Sequence, residues 1–215
     1  MNDKPAADSR MSRATWIGLF LALFGILIVR QAVSYLWPTP TFTAALWKES
    51  LIWLCAVAVL VIIRRGERLP LTSIGIGTVT WWKSILWGLI LAVICALVAL
   101  THYGHGPVSA ALEKLPLWLV TLIVFRAGVV EELFYRGYAI ERLQTLGLNR
   151  YLAAAIPLVI FSIGHWTGGW ANIVIALALG GILSAFYLWR RDLVANMIGH
   201  FMVDFVVNVL PKLFS

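Results

Sequence analysis

Long apolar runs separated by short polar or basic stretches dominate the chain, and they predict helices rather than strands. Seven such segments can be laid out, at approximately residues 16–36, 41–63, 82–103, 115–138, 151–166, 172–189 and 193–213. Runs of about twenty residues match the hydrocarbon thickness of a bilayer. The pattern therefore predicts an all-α, polytopic transmembrane helix bundle of about seven spans. The fifth segment is short for a full crossing. The second carries Lys48 and Glu49 near its start, where the lysine stem can snorkel outward. Helix four is expected to continue past its apolar run to about Leu146, because residues 139–144 are amphipathic, and to turn at Gly147-Leu148-Asn149.

Composition supports a membrane bundle. Of 215 residues, 61% are hydrophobic and only 13% charged, about half the charge of a soluble domain. We expect one transmembrane helical domain over 1–215, with no second soluble domain. The net charge of +7 reads as topology, not as a nucleic-acid surface, because the basic residues cluster between apolar segments. With the N-terminus cytoplasmic, Lys4, Arg10, Arg13, Arg64, Arg65, Arg68, Lys83, Arg136, Arg142, Arg150, Arg190 and Arg191 fall on one side. Only Lys114 and Lys212 fall on the other, so the positive-inside pattern favours N-in with seven spans. The first apolar run is too long for a signal-peptide core and lacks a small-residue cleavage pattern, so it is expected to stay as the first helix. Cys55 and Cys95 sit inside apolar runs and build no disulfide framework or metal motif. Trp81, Trp82, Trp166, Trp170 and Trp189 mark segment ends, as an aromatic belt would. The 64–80 connection, the longest on the basic side, is read as a surface piece without function.

Against this background three polar clusters stand out. Glu131 and Glu132 lie where a spanning helix should be apolar, followed by Arg136. Ionisable groups at that depth face a cavity or a polar partner. Glu132 and Arg136, four apart, share a helix face; Glu131 is rotated about 100° away and has no partner on its own helix. The second cluster is Phe161 and His165. Glu131 precedes Leu148 by 17 residues and His165 follows it by 17. In an antiparallel hairpin both then lie about 25 Å from the turn, at equal depth. The third is a stripe at four-residue spacing, Asn196, His200, Asp204 and Asn208, facing inward. For Asn196 and Asn208 interhelical hydrogen bonding is the plainer reading. His102 and His105, in a glycine-rich outer loop, are weak metal candidates; Arg30 and Arg126 are expected to pair with acids or snorkel, and Arg126 with Arg136 can serve as counter-ion to the glutamate pair.

Two carboxylates and two histidines on three helices suit water activation, in either of two versions. In one, Glu131, His165 and His200 hold a divalent metal such as zinc, with Asp204 as ligand or outer partner and a glutamate as base. In the other, without metal, Glu131 and His165 deprotonate water while His200 and residue 204 stabilise the oxyanion.

The motifs Glu131-Glu132 with Arg136, Phe161 with His165, and His200 with Asp204 resemble those of the CPBP family of intramembrane proteases. That family is named for CAAX and bacteriocin processing and includes the type II CAAX prenyl endopeptidases. The resemblance covers a motif-bearing core at about 115–210. It implies an intramembrane endopeptidase in which Glu131 acts as general base with His165. Glu132, His200 and Asp204 complete the catalytic set, and Arg136, Phe161 and Asn196 support it. It also implies a membrane-associated protein or peptide substrate, with the bacterial plasma membrane as the expected location. Prenyl-processing members typically carry Asn where this chain has Asp204, and an ionised carboxylate cannot donate to an oxyanion. Other readings left open are a proton- or ion-coupled transporter and a non-catalytic adaptor or bacteriocin self-immunity protein.

Overall fold

A computed structural model describes residues 12–39, 41–100, 112 and 114–214. Seven helices stand where the seven apolar segments were expected, and no strand occurs among the described residues. We number them α1 (Arg13–Leu36), α2 (Phe42–Val61), α3 (Trp81–Leu100), α4 (117–145), α5 (Arg150–Ile163), α6 (Gly169–Arg190) and α7 (Leu193–Asp204). Four are long and apolar enough to cross a membrane: α1, α2 with its extension to Gly66, α3, and α6 with the 3₁₀ turn before it. The chain is an integral membrane protein.

Helix starts follow from side-chain caps that satisfy free backbone N–H groups. Ser12 accepts from Thr15 N, Thr41 from Ala44 N, Asn149 from Tyr151 N and Leu152 N, and Asp192 from Ala195 N. Gly147, at φ 88°, makes the α4–α5 turn, close to the end expected for helix four.

The bundle is organised around α4. Its middle, Ala127–Ile140, is wound as a π-helix, and every residue there except Val129 is buried. It packs against α1, α2, α5 and α7. Its approach to α7 is close at Gly128, where a Cβ would lie 2.8 Å from the Phe201 backbone. Helix α5 has 14 residues, about 21 Å, against the ~30 Å of a hydrocarbon core. It is followed by the 3₁₀ turn Trp166–Gly168.

The 64–80 connection is more than a surface piece. Ile74 is fully buried in the main apolar core, the Gly75 carbonyl accepts from Leu193 N at 3.0 Å, and the Thr78 hydroxyl donates to the Arg191 carbonyl at 2.7 Å. Its Leu-Thr-Ser-Ile run forms a 3₁₀ turn that buries Ile74 under the basic end of the bundle. At the same end Arg142 grips both oxygens of Glu67, the Tyr138 hydroxyl donates to Glu67, and Arg191 and Tyr187 hold Glu141.

Candidate active site

Glu132 is fully buried and joins α4 to α7. Its Oε1 accepts from Arg136 Nη1 at 2.8 Å and lies 2.8 Å from His200 Nδ1; its Oε2 accepts from Asn196 Nδ2 at 3.1 Å. Arg136 also donates to the Gly180 carbonyl at 3.0 Å, and its guanidinium stands 4.7 Å from the Phe161 ring centre. Glycine at 180 leaves that room: a Cβ there would come within 3.0 Å of Arg136 Nη2 and 3.1 Å of Phe161 Cδ1.

Glu131 is held differently. Arg126 Nη1 donates to its Oε1, while Arg126 Nε donates to Glu49 Oε2 at 2.8 Å. Glu131 thus has a partner on its own helix, against expectation. Residues five apart lie about 140° apart on an α-helix, but i→i+5 is the closing step of a π turn. The wide winding brings Arg126 and Glu131 onto one side.

His165 follows the end of α5. Its Nδ1 lies 2.8 Å from the Phe161 carbonyl, so Nδ1–H donates there and Nε2 keeps its lone pair. Arg30 on α1 secures this turn through Gly164 O at 2.9 Å and Thr167 Oγ1 at 3.4 Å. A cleft of about 420 Å³ opens beside it, lined by Phe24, Ile28, Arg30, Ile163, Gly164 and Trp166, among others. Phe161 is the apolar hub, with ring centres 5.4 Å from Tyr135, 4.7 Å from His165 and 6.2 Å from His200. Both His165 and His200 act electrostatically on Glu131. The three clusters of the sequence therefore share one region, linked through the Phe161 ring, which contacts both His165 and His200.

His200 sits between two carboxylates, with Nε2 3.5 Å from Asp204 Oδ2. Asn196 also donates to Leu183 O, whereas Asn208 turns back to the Asp204 carbonyl and belongs to local helix bonding. Sequence reasoning missed Glu49 and left Arg30 without an assigned partner, while it had offered Arg126 as a counter-ion to the glutamate pair. The available signal was a charged residue inside an apolar run.

As placed, these residues do not fit a metal. Among the described residues no three His, Cys, Asp or Glu side chains converge on a metal position. The set expected from the sequence, Glu131, His165, His200 and Asp204, is not assembled as a cage, because both His200 nitrogens face carboxylates and His165 Nδ1 faces a carbonyl. His102 and His105 lie outside the described residues.

Comparison with known proteins falls on this same region. Residues 113–206 match the family described as type II CAAX prenyl endopeptidase Rce1-like. The matched stretch carries all three motifs. It begins just before α4 and ends just after Asp204, so α1, α2 and α3 lie outside it. No curated protein and no solved structure matches the chain.

Proposed function

We propose that the protein is an intramembrane endopeptidase in which Glu131 and His165 activate water. The observation carrying this reading is the contrast at the glutamate pair. Among the described residues Glu132 receives three side-chain partners and is consumed by them, whereas Glu131 has one donor on one oxygen. A general base needs a free lone pair beside its water.

The other oxygen of Glu131 takes a proton from a water that also donates to His165 Nε2. The water oxygen bonds to the substrate carbonyl carbon. His200 Nε2–H turns from its long contact with Asp204 toward the developing oxyanion. The C–N bond then breaks, and the proton held by Glu131 passes to the leaving amine. Glu132, Arg136 and Asn196 hold His200 and Phe161 in place. No step is routed through a metal. The substrate class is a membrane-associated protein or peptide, in keeping with the prenyl endopeptidase family that residues 113–206 match. The basic-residue distribution supports a cytoplasmic N-terminus, and we place the protein in the bacterial plasma membrane.

The test is incubation of the purified protein with peptide and prenyl-peptide libraries, with and without chelator, beside Glu131→Ala. Cleavage that depends on Glu131 and survives chelation is expected. Cleavage that persists in Glu131→Ala rejects the mechanism, and a chelator-sensitive rate restores the metal version. Proton-driven uptake into liposomes without proteolysis makes the protein a transporter instead.

A further inference from the structure

We propose that Glu49, on α2 and outside the family-matched segment, is a positioning residue for Glu131 acting through Arg126. The inference rests on the proposed role of Glu131 as base. Glu49 is 2% exposed, and among the described residues the hydrogen bond to its carboxylate comes from Arg126 Nε at 2.8 Å. Lys48 Nζ lies 3.8 Å from the other oxygen and is partly exposed, too far for a hydrogen bond. Glu49 Oε1 is buried without a donor among the described residues.

A guanidinium is a rigid planar fork, so fixing the direction of one N–H fixes the others. Arg126 uses Nε on Glu49 and Nη1 on Glu131. Glu49 therefore sets the plane of the fork, and the plane sets where Glu131 Oε1 is held. Without that anchor Arg126, on a long flexible stem, points Nη1 less sharply. A buried acid–base–acid row is an expensive way to pack two helices, and apolar side chains of similar volume would stabilise them as well. Aim, rather than stability, is what the row supplies. It also gives α2 a part in chemistry that is otherwise confined to α4, α5 and α7.

The experiment reads both turnover and the state of Glu131 itself. Full-length protein in liposomes is treated with a hydrophobic carbodiimide, and labelling of Glu131 is followed by mass spectrometry; a carboxylate held by a guanidinium is protected. Glu49→Leu is expected to raise labelling several-fold and to lower kcat by roughly 10²-fold, the scale of a ~1 Å misplacement, with KM unchanged. Glu49→Gln keeps an acceptor for Nε and restores part of both. Arg126→Lys keeps the charge but loses the fork, and should match Glu49→Leu; adding Glu49→Leu to it should change nothing further. Wild-type labelling and kcat in folded Glu49→Leu, or effects that multiply in the double variant, overturn the proposal. If the wild type cleaves no peptide, the proteolytic reading fails, while the labelling still decides whether Glu49 positions Glu131.

Discussion

Two polar clusters lie along α4, and they treat their carboxylates in opposite ways. At the basic end, Glu67 takes both oxygens' worth of hydrogen bonds from Arg142 and Tyr138, and Glu141 does the same with Arg191 and Tyr187. Acceptors there are matched to donors, as in a staple. In the middle of the bundle the donors are unevenly shared. Among the described residues Glu132 draws Arg136, His200 and Asn196, Glu131 draws Arg126 alone, and Asp204 touches His200 at 3.5 Å while partly exposed. Saturated pairs hold helices together; an unsaturated one next to histidines keeps lone pairs for chemistry.

The sharpest way to break this contrast is Glu131→Gln. It should cost about 10³-fold in peptide cleavage, within the range of a lost general base, while the thermal midpoint stays near wild type; comparable loss of both would erase the distinction from Glu132. Next is Glu132→Ala, which leaves Arg136 and His200 buried without their shared partner. Denaturant unfolding in detergent should show a loss of ~3–5 kcal/mol, alongside lost activity. Smaller is Asp204→Asn. A contact at 3.5 Å contributes ~1 kcal/mol or less, so cleavage should change by about fivefold or less, and His200 Nε2 should become easier to engage by an oxyanion-mimicking inhibitor. The smallest effect is expected at the basic end. Replacing both partners, Glu67→Leu with Arg142→Met, should leave kcat and KM unchanged and stability neutral or raised by ~1–4 kcal/mol, as apolar replacement of buried pairs often does. A large loss of turnover there would mean that the staple reaches the chemistry.

What the sequence disclosed divides along the range of the forces involved. Helices were legible because apolar runs and helical periodicity are local, and so was the Glu132–Arg136 pair at i,i+4. An equal depth for Glu131 and His165 was expected from counting along a hairpin. Arg126 was legible as a counter-ion to the glutamate pair, but its bond to Glu131 five residues on was not, because it depends on π winding, which the burial of Ala127–Ile140 within the bundle accompanies and which no residue pattern announces. Glu49–Arg126 and Arg30–Gly164 join residues 77 and 134 positions apart, and only packing reveals them. The docking of Ile74 under Leu193 was hidden for the same reason: a four-residue apolar turn looks like loop until it finds its pocket.

The shortness of α5 has a consequence for the lipid. A helix about 9 Å shorter than the hydrocarbon core leaves a mismatch that the bilayer must absorb by thinning. The thin spot falls at the Gly164–Gly169 turn, beside His165 and the cleft lined by Arg30. Thinning there draws headgroups and water toward an otherwise dry interior. For the hydrolysis proposed above, the membrane would then be the conduit that supplies water to an apolar bundle, and the chain length of the surrounding lipid would be a control on its rate.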